Sequence, residues 1–267
     1  MAQGRVTVVA EIGVNHDGSL VRAFEMIRAA AAAGADWVKF QFFDAAKLAG
    51  VGTARYDLLH PLELPYWAMG EFRACAREHG VEFFATPFDE IALAWLVKLG
   101  VPAIKIASPD LTNLPFLRAV AQTGLPVILS TGMAWLWEIQ AAMRVLAARD
   151  VTLLHCTSLY PPAPEELNLR AMQTLAQVFT CPVGLSDHSR GGYAPVAAVA
   201  LGAVMIEKHF TLDRNVQGPD QAASLEPNEF AEMVRCIRWT EAALGTGEKR
   251  PTLRELVIAD GLKRVHP

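Results

Sequence analysis

The chain has 267 residues, of which 52% are hydrophobic and 19% are charged, and its formal net charge is −4. This length allows a large core in one domain or two, and the weak negative charge excludes a global basic surface for nucleic acid or anionic membranes. Four cysteines without Cys-x-x-Cys spacing argue against a cysteine-rich zinc site or a disulfide framework and fit a reducing cytoplasm. We expect no signal peptide, because Glu11 follows the first apolar run, and no apolar run reaches the roughly 18 residues that span a bilayer.

Short β-branched and aromatic runs alternate with alanine- and leucine-rich runs, which predicts strands followed by helices. The predicted strands cover residues 6–13, 36–43, 81–88, 102–108, 126–132, 151–160, 182–188 and 204–212. The predicted helices cover residues 19–33, 65–79, 89–99, 113–123, 134–148, 166–178, 192–202 and 227–244. Eight such units predict a single-domain (β/α)8 TIM barrel over residues 1–250. An open doubly wound sheet is the alternative, but no Gly-x-Gly-x-x-Gly follows the first strand.

Two segments depart from this alternation. Residues 44–64 form a long insertion between the second strand and its helix, and long loops of this kind in a barrel usually serve the active site. Residues 251–267 form a polar tail after the barrel, in which we expect no further domain.

Polar side chains stand at the end of nearly every predicted strand, where a barrel carries its active site. Because strand side chains alternate with period two, residues two apart share a face. Polar pairs of this kind occur at four strand ends: Lys39 with Gln41, Ser158 with Tyr160, Ser186 with His188, and Glu207 with His209. Any one of these residues has an ordinary structural explanation, but their convergence predicts a site.

The residue types indicate what the site binds. His188 and His209 lie at neighbouring strand ends, and imidazole is a ligand for Mn, Fe, Co or Zn. Lys39 and Lys105 bring positive charge, and the glycine turn at residues 189–193 opens a helix whose N-terminus can hold an anion. Serine hydroxyls at three strand ends add donors: Ser108, Ser158 and Ser186. Together these groups predict a phosphorylated, carboxylated substrate beside a divalent metal.

A cysteine-hydrolase dyad is the tempting alternative at residues 155–156. His155 and Cys156 are adjacent in the chain, as a base and a nucleophile might be expected to be. Adjacent strand residues point to opposite faces, so this dyad is not expected to form.

Nine motifs occur in a fixed order along residues 6–255: EIGVNHDG, KFQ, ATPFD, IKIAS, STGM, LLHCTSLYP, VGLSDHS, EKHFTLD and GPD-x3-SL. In order and spacing they resemble the N-acetylneuraminate (sialic acid) synthase family, which includes legionaminate and pseudaminate synthases. The resemblance implies a (β/α)8 barrel that condenses phosphoenolpyruvate (PEP) with the open-chain aldehyde of an N-acylated amino sugar. Such a transferase gives a nonulosonic acid, releases phosphate, and uses a divalent metal, Mn²⁺ before Mg²⁺ or Co²⁺.

The same resemblance implies roles for thirteen site residues, to which one supporting residue is added. The residues implied in catalysis are Glu11 as base, Lys39, Lys105, and the metal ligands His188 and His209. PEP would be held by Lys39, Thr86 and Lys105 at its carboxylate, and by Ser108, Ser158 and Ser186 at its phosphate. The sugar would face Gln41, Tyr160 and Asp220; Asp110 is a further substrate contact, and Glu207 would support the metal site.

The chain departs from the family in four places, one of which is Ser158, where the strand-6 motif often has Asn. Asp110 stands where many members have Glu, and Gln221 stands where many have His. Typical members continue into an antifreeze-like domain that covers the partner's barrel in a dimer, and we expect none here. A homodimer is the expected assembly, with a separate lid-domain protein as the alternative.

Two other functions remain open on the sequence alone. A sister PEP aldolase that makes 3-deoxy-keto sugar acids would need a further basic cluster for a phosphorylated acceptor. Only Arg190 and Arg214 are expected near the mouth besides the two lysines, which favours an unphosphorylated acceptor. A non-catalytic, ligand-binding barrel is the second alternative.

Overall fold

The computed structural model describes residues 4–147 and 149–263, apart from the side chain of residue 260. Eight parallel strands form one sheet, in the order β3-β2-β1-β8-β7-β6-β5-β4. They are β1 (Thr7–Gly13), β2 (Trp37–Phe42), β3 (Glu82–Pro87), β4 (Ile104–Ile106), β5 (Val127–Ser130), β6 (Val151–Cys156), β7 (Val183–Asp187) and β8 (Met205–His209). All eight predicted strands are present, and the predicted (β/α)8 barrel is confirmed.

Eleven α-helices occur in the described part of the chain. They are α1 (Leu20–Ala32), α2 (Ala45–Leu48), α3 (Ala54–Leu59), α4 (Ala68–Glu78), α5 (Glu90–Leu99), α6 (Leu114–Gln122), α7 (Leu136–Leu146), α8 (Ala171–Phe179), α9 (Tyr193–Ala200), α10 (Pro227–Leu244) and α11 (Leu253–Leu262). Eight of them, α1 and α4 to α10, match the predicted helices. Residue 148, at the end of one predicted helix, residues 1–3 and the last four residues of the tail lie outside the described residues.

Three helices were not predicted. The insertion contains α2 and α3, which have four and six residues and are too short to show a helical period. The tail contains α11, which begins with a capping box in which Thr252 Oγ1 accepts the N–H of Glu255 at 3.2 Å. The Thr-x-x-Glu pattern was the signal for this helix.

The insertion is attached to the barrel at the end of β3. The carboxylate of Asp89 caps α5 by accepting the N–H of Ala92 at 2.8 Å. It also accepts the hydroxyl of Tyr66 at 2.7 Å and lies 3.5 Å from Lys47 Nζ. One buried carboxylate therefore holds both flanks of the insertion.

In strand β1, alternate side chains point to the helices and to the barrel interior. Val8, Ala10 and Ile12 face the helices and belong to the main core. Val9 faces the other way and packs in a small apolar cluster with residues in or next to other strands: Phe84, Ala103, Ile128, Leu154 and Met205. Glu11 follows Val9 on the inner face. The barrel interior therefore has an apolar floor, with polar side chains above it at the carboxyl ends of the strands.

The ladder order begins at β3 and finishes at β4. In the residues described, no strand ladder joins these two strands, although they are in contact. The described helices include none that is both long enough and apolar enough to cross a membrane.

Candidate active site

One cavity at the carboxyl ends of the strands collects most of the predicted site residues. Its volume is about 260 Å³. Eleven of the thirteen predicted residues line it: Glu11, Lys39, Gln41, Thr86, Lys105, Ser108, Ser158, Tyr160, Ser186, His188 and His209. Parallel strands bring these residues together because each contributes its last inward-facing positions to the same end of the barrel.

Four buried charges form a chain across this cavity. Lys39 Nζ lies 2.9 Å from Glu11 Oε1 and 3.6 Å from Glu207 Oε1. Lys105 Nζ lies 3.6 Å from the same oxygen of Glu207. The hydroxyl of Ser186 donates to that oxygen at 3.0 Å. Glu207, which was expected to support the metal site, therefore bridges the two lysines.

The protonation states of these four charged side chains follow from their burial and from their neighbours. Burial raises the pKa of Glu11 to about 7, against the opposing effect of Lys39. Burial also lowers the pKa of Lys105, although Glu207 opposes that shift. The pKa of Glu207 is lowered, because the charges of Lys105 and Lys39 outweigh the effect of its burial. Glu11 is thus the carboxylate that can exchange a proton near neutral pH.

Hydroxyl groups surround the two lysines. Lys39 Nζ donates to Thr86 Oγ1 at 3.2 Å, and Lys105 Nζ donates to Ser130 Oγ at 2.8 Å. Ser108 Oγ accepts the backbone N–H of Gly132 at 3.0 Å. A Cβ atom on Gly132 would lie 2.3 Å from Ser158 Oγ and 2.9 Å from Ser108 Oγ, so only glycine leaves room for both hydroxyls. This side of the cavity is rich in hydrogen-bond donors and suits an anion.

The two histidines lie side by side at the mouth, at the ends of the adjacent strands β7 and β8. Their ring centroids are 5.2 Å apart, and the Tyr160 ring stacks on His188 at 4.1 Å. His188 Nδ1 donates to the carbonyl of Thr157 at 2.8 Å, so that Nε2 is the nitrogen that carries the lone pair when the ring is neutral. Nδ1 of His209 is buried and has no hydrogen-bond partner among the described residues. Burial holds the pKa of His209 well below its usual value, so its imidazole is neutral.

This donor set fits a divalent metal ion. A carbonyl that accepts the other ring N–H is common beside a metal-bound imidazole, and His188 has such a partner in Thr157. His209 keeps a buried ring nitrogen without a hydrogen-bond partner among the described residues. Within residues 4–147 and 149–263, no group of three or more His, Cys, Asp and Glu side chains is arranged to hold a metal. A cation held by His188 and His209 would take its remaining ligands from water and substrate.

Two predicted residues do not line the cavity. Asp220 lies beside it, with Oδ2 3.6 Å from His209 Nδ1, and burial raises its pKa to about 6. Asp110 belongs to a 3-10 helix, Ser108–Asp110, and accepts a hydrogen bond from Asn113 at 3.3 Å. The strand ends before residue 108, so alternation no longer directs the side chain of Asp110 inward.

Cys156 lines the cavity and was missed as a site residue. Its Sγ lies 3.8 Å from His188 Nδ1 and 4.0 Å from Ser158 Oγ. His155 points the other way, toward the carbonyl of Leu167 at 2.7 Å, so the expected separation of these neighbours is confirmed. Counting back two residues from Ser158 would have found Cys156. Ser130 was also missed as a site residue, because it is recognised only by its hydrogen bond to Lys105 on the adjacent strand.

Two predicted contributors are absent from the cavity lining. No described residue of the insertion lines it; part of the insertion packs on Val14 and Phe88 instead. The glycine turn at residues 189–193 does not line it either, and Arg190 faces a neighbouring groove together with Arg170. The expected anion contact at that turn is therefore not part of this cavity.

The fold and the cavity together define the class of protein: a (β/α)8 barrel with an enzyme-type site at the carboxyl ends of its strands. Residues 26–249 match the NeuB family model, and the chain belongs to the NeuB family. The resemblance found in the sequence motifs is thereby confirmed.

Similar proteins span most of the chain. It is 46% identical to an uncharacterised protein of Methanocaldococcus jannaschii, over 94% of this chain and 76% of that protein. It is 41% identical to the N,N'-diacetyllegionaminic acid synthase of Legionella pneumophila, over 96% of this chain and 78% of that protein. The crystal structure of an N-acetylneuraminic acid synthetase from Leptospira borgpetersenii superimposes with a TM-score of 0.92 at 38% identity, over 97% of this chain and 92% of that one.

Proposed function

We propose that this protein condenses PEP with the open-chain aldehyde of an amino sugar, or a related sugar, to give a nonulosonic acid and inorganic phosphate. The observation that carries the proposal is the division of the cavity, with two lysines and several hydroxyls on one side and two histidines beside Tyr160 on the other. Relatives named as synthases of such acids support it.

The lysine side suits PEP. Lys39, Thr86 and Lys105 would hold the carboxylate, because their polar ends converge from neighbouring strands on the inner face. The phosphate would lie against a group of hydroxyls: Ser108, Ser158 and Ser186. Charge-assisted hydrogen bonds in a buried cavity are stronger than those in water, which offsets the desolvation of an anionic ligand.

The histidine side suits the aldehyde. His188 and His209 would hold a divalent cation, Mn²⁺ before Mg²⁺ or Co²⁺. When bound there, such a cation supplies Lewis-acid polarisation of a carbonyl oxygen. Sugar hydroxyls would meet Gln41, whose Nε2 donates to Glu11 Oε1 at 2.9 Å, together with Tyr160 and Asp220.

The reaction forms a bond between carbon 3 of PEP and the aldehyde carbon, and positive charge develops at carbon 2. Water adds to carbon 2, and phosphate leaves with cleavage of the bond between carbon 2 and the ester oxygen. Glu11, protonated when PEP is bound, would give its proton to the aldehyde oxygen as the new bond forms. As a carboxylate it would then take the proton of that water on Oε2, which is buried and has no hydrogen-bond partner among the described residues. Lys39 and Lys105 stabilise the charge of PEP throughout.

The acceptor is proposed to be unphosphorylated. Of the two arginines expected near the mouth, Arg214 pairs with Glu229, and Arg190 faces the neighbouring groove. The only Lys or Arg side chains that line the cavity, among the described residues, are Lys39 and Lys105. Both are already required for PEP, so no cation remains for a second phosphate.

A phosphate-release assay tests the proposal. Release from PEP should require both Mn²⁺ and an acceptor, with N-acetylmannosamine, diacetamido sugars and phosphorylated aldoses as separate arms. A chelator arm and the Lys105→Met variant should each abolish release, while the Arg190→Gln variant should retain it. Turnover with phosphorylated aldoses alone would favour the sister aldolase, and no release with any acceptor would contradict the proposal.

A further inference from the structure

A buried ion pair lies directly behind the two histidines. Asp187 and Lys208 are register partners on β7 and β8, and each immediately precedes one histidine, His188 or His209. Lys208 Nζ lies 2.7 Å from Asp187 Oδ2, and both side chains are 0% exposed. Alternation places the pair on the face opposite the cavity, and neither residue lines it.

Lys208 contacts the chain on both sides of His188. Its Nζ donates to the carboxylate of Asp187, which precedes His188, and to the carbonyl of Ser189, which follows it. Asp187 in turn accepts the N–H and the hydroxyl of Ser189, each at 3.0 Å. Because Lys208 is itself bonded to His209, one side chain links the backbone around both histidines.

Apolar residues occupy the neighbouring positions on this face. Leu185 on β7, Ile206 on β8 and Phe210 after it all belong to the main core. A buried ion pair in such a place contributes little more to stability than well-packed apolar residues of similar volume would. What distinguishes it from apolar packing is that its hydrogen bonds are directional. An ammonium group with two acceptors fixes the distance between the two strands that it joins.

We propose that Lys208 is a positioning residue, which with Asp187 sets the spacing and orientation of His188 and His209 for a divalent cation. This inference rests on the assignment of the two histidines as metal ligands under the proposed function. Loss of the pair should leave the fold intact but allow the imidazoles to depart from their 5.2 Å separation.

The test measures the binding of Mn²⁺ alone by calorimetry, without substrate. The double variant Lys208→Met with Asp187→Asn removes both charges together and avoids an unpaired buried carboxylate. We expect its Mn²⁺ affinity to fall about tenfold or more, in the range seen when support for metal ligands is removed. Asp187→Asn alone keeps the side-chain volume and is measured in parallel, so a double variant that fails to fold leaves a usable comparison.

A matched control lies at the opposite end of the barrel. Arg238 pairs with Asp36 at 2.6 Å, just before β2, and the carboxylate also accepts the N–H of Val8. Arg238→Met with Asp36→Asn should lower the melting temperature and leave the Mn²⁺ affinity unchanged.

The outcomes separate the inference from the function on which it rests. A wild-type protein that binds no Mn²⁺ would overturn the metal assignment and the inference with it. Wild-type binding that persists at full strength in the double variant and in Asp187→Asn would overturn the inference alone. Equal weakening of Mn²⁺ binding by the Lys208/Asp187 double variant and the Arg238/Asp36 control would show that the pair has a merely structural role. That result would also overturn the inference.

Discussion

Replacement of Gly132 by alanine tests the packing of the hydroxyl side of the cavity. The added Cβ would lie 2.3 Å from Ser158 Oγ, 2.9 Å from Ser108 Oγ and 3.2 Å from Cys156 Sγ. Gly132 does not have a positive φ, so alanine meets no backbone strain there. The effect of the substitution is therefore steric and local.

The magnitude follows from the overlap. Ser158 Oγ must retreat by about 1 Å to restore ordinary contact, in a close-packed wall that resists such movement. Overpacking of this kind costs about 1–3 kcal/mol of stability. A displacement of about 1 Å at a binding group can reduce activity on the order of 10²-fold. Because both serines are proposed phosphate contacts, the loss should appear mainly in KM for PEP.

The assay is phosphate release at varied PEP, together with denaturant unfolding. Gly70→Ala is the control, since its Cβ would meet only Leu99 at 3.9 Å on the outside of α4. That variant should gain about 0.5–1 kcal/mol of stability and retain full activity. A Gly132→Ala protein with wild-type stability and wild-type KM for PEP would refute the steric reasoning.

Two further predictions concern residues outside the cavity. Burial lowers the pKa of His16 to about 4, so the unfolded chain binds a proton below pH 6.5 before the native state does, and stability is lost as the pH falls. Between pH 7 and pH 4 the wild type should lose about 3 kcal/mol more than His16→Gln, by denaturant unfolding, and equal losses would contradict this. Tyr66→Phe removes the 2.7 Å hydrogen bond to Asp89 and should cost about 1 kcal/mol. It should also speed proteolytic cleavage within residues 44–64, and an unchanged cleavage rate would count against the anchoring role of Asp89.

Much of the barrel was predictable because its strands are buried on both faces. Such strands read as short continuous apolar runs, and the polar residues at their ends stand out. Period two then placed Lys39 with Gln41 and His188 with Ser186 on shared faces. Strand ends were less predictable: the strand predicted to end at residue 160 stops at Cys156, where the chain leaves the barrel wall.

Contacts between strands could not be predicted from the sequence. The bridge from Glu207 to both lysines depends on the registers of β2, β4 and β8, which barrel closure determines over long sequence distances. The need for glycine at position 132 depends in the same way on Ser108 and Ser158. Asp110 lies outside the cavity lining for a local reason, because a 3-10 turn begins at Ser108 and ends the alternation of side chains.

The row of alternating charges formed by Glu11, Lys39, Glu207 and Lys105 couples the binding of an anion to the uptake of protons. Two lysines and two carboxylates nearly cancel, so an anion such as PEP enters a cavity without excess positive charge. Because burial places the pKa of Glu11 at about 7, an arriving anion raises it further and draws a proton from solvent at neutral pH. The heat of PEP binding should then vary with the ionisation enthalpy of the buffer, and the slope of that variation counts the protons taken up.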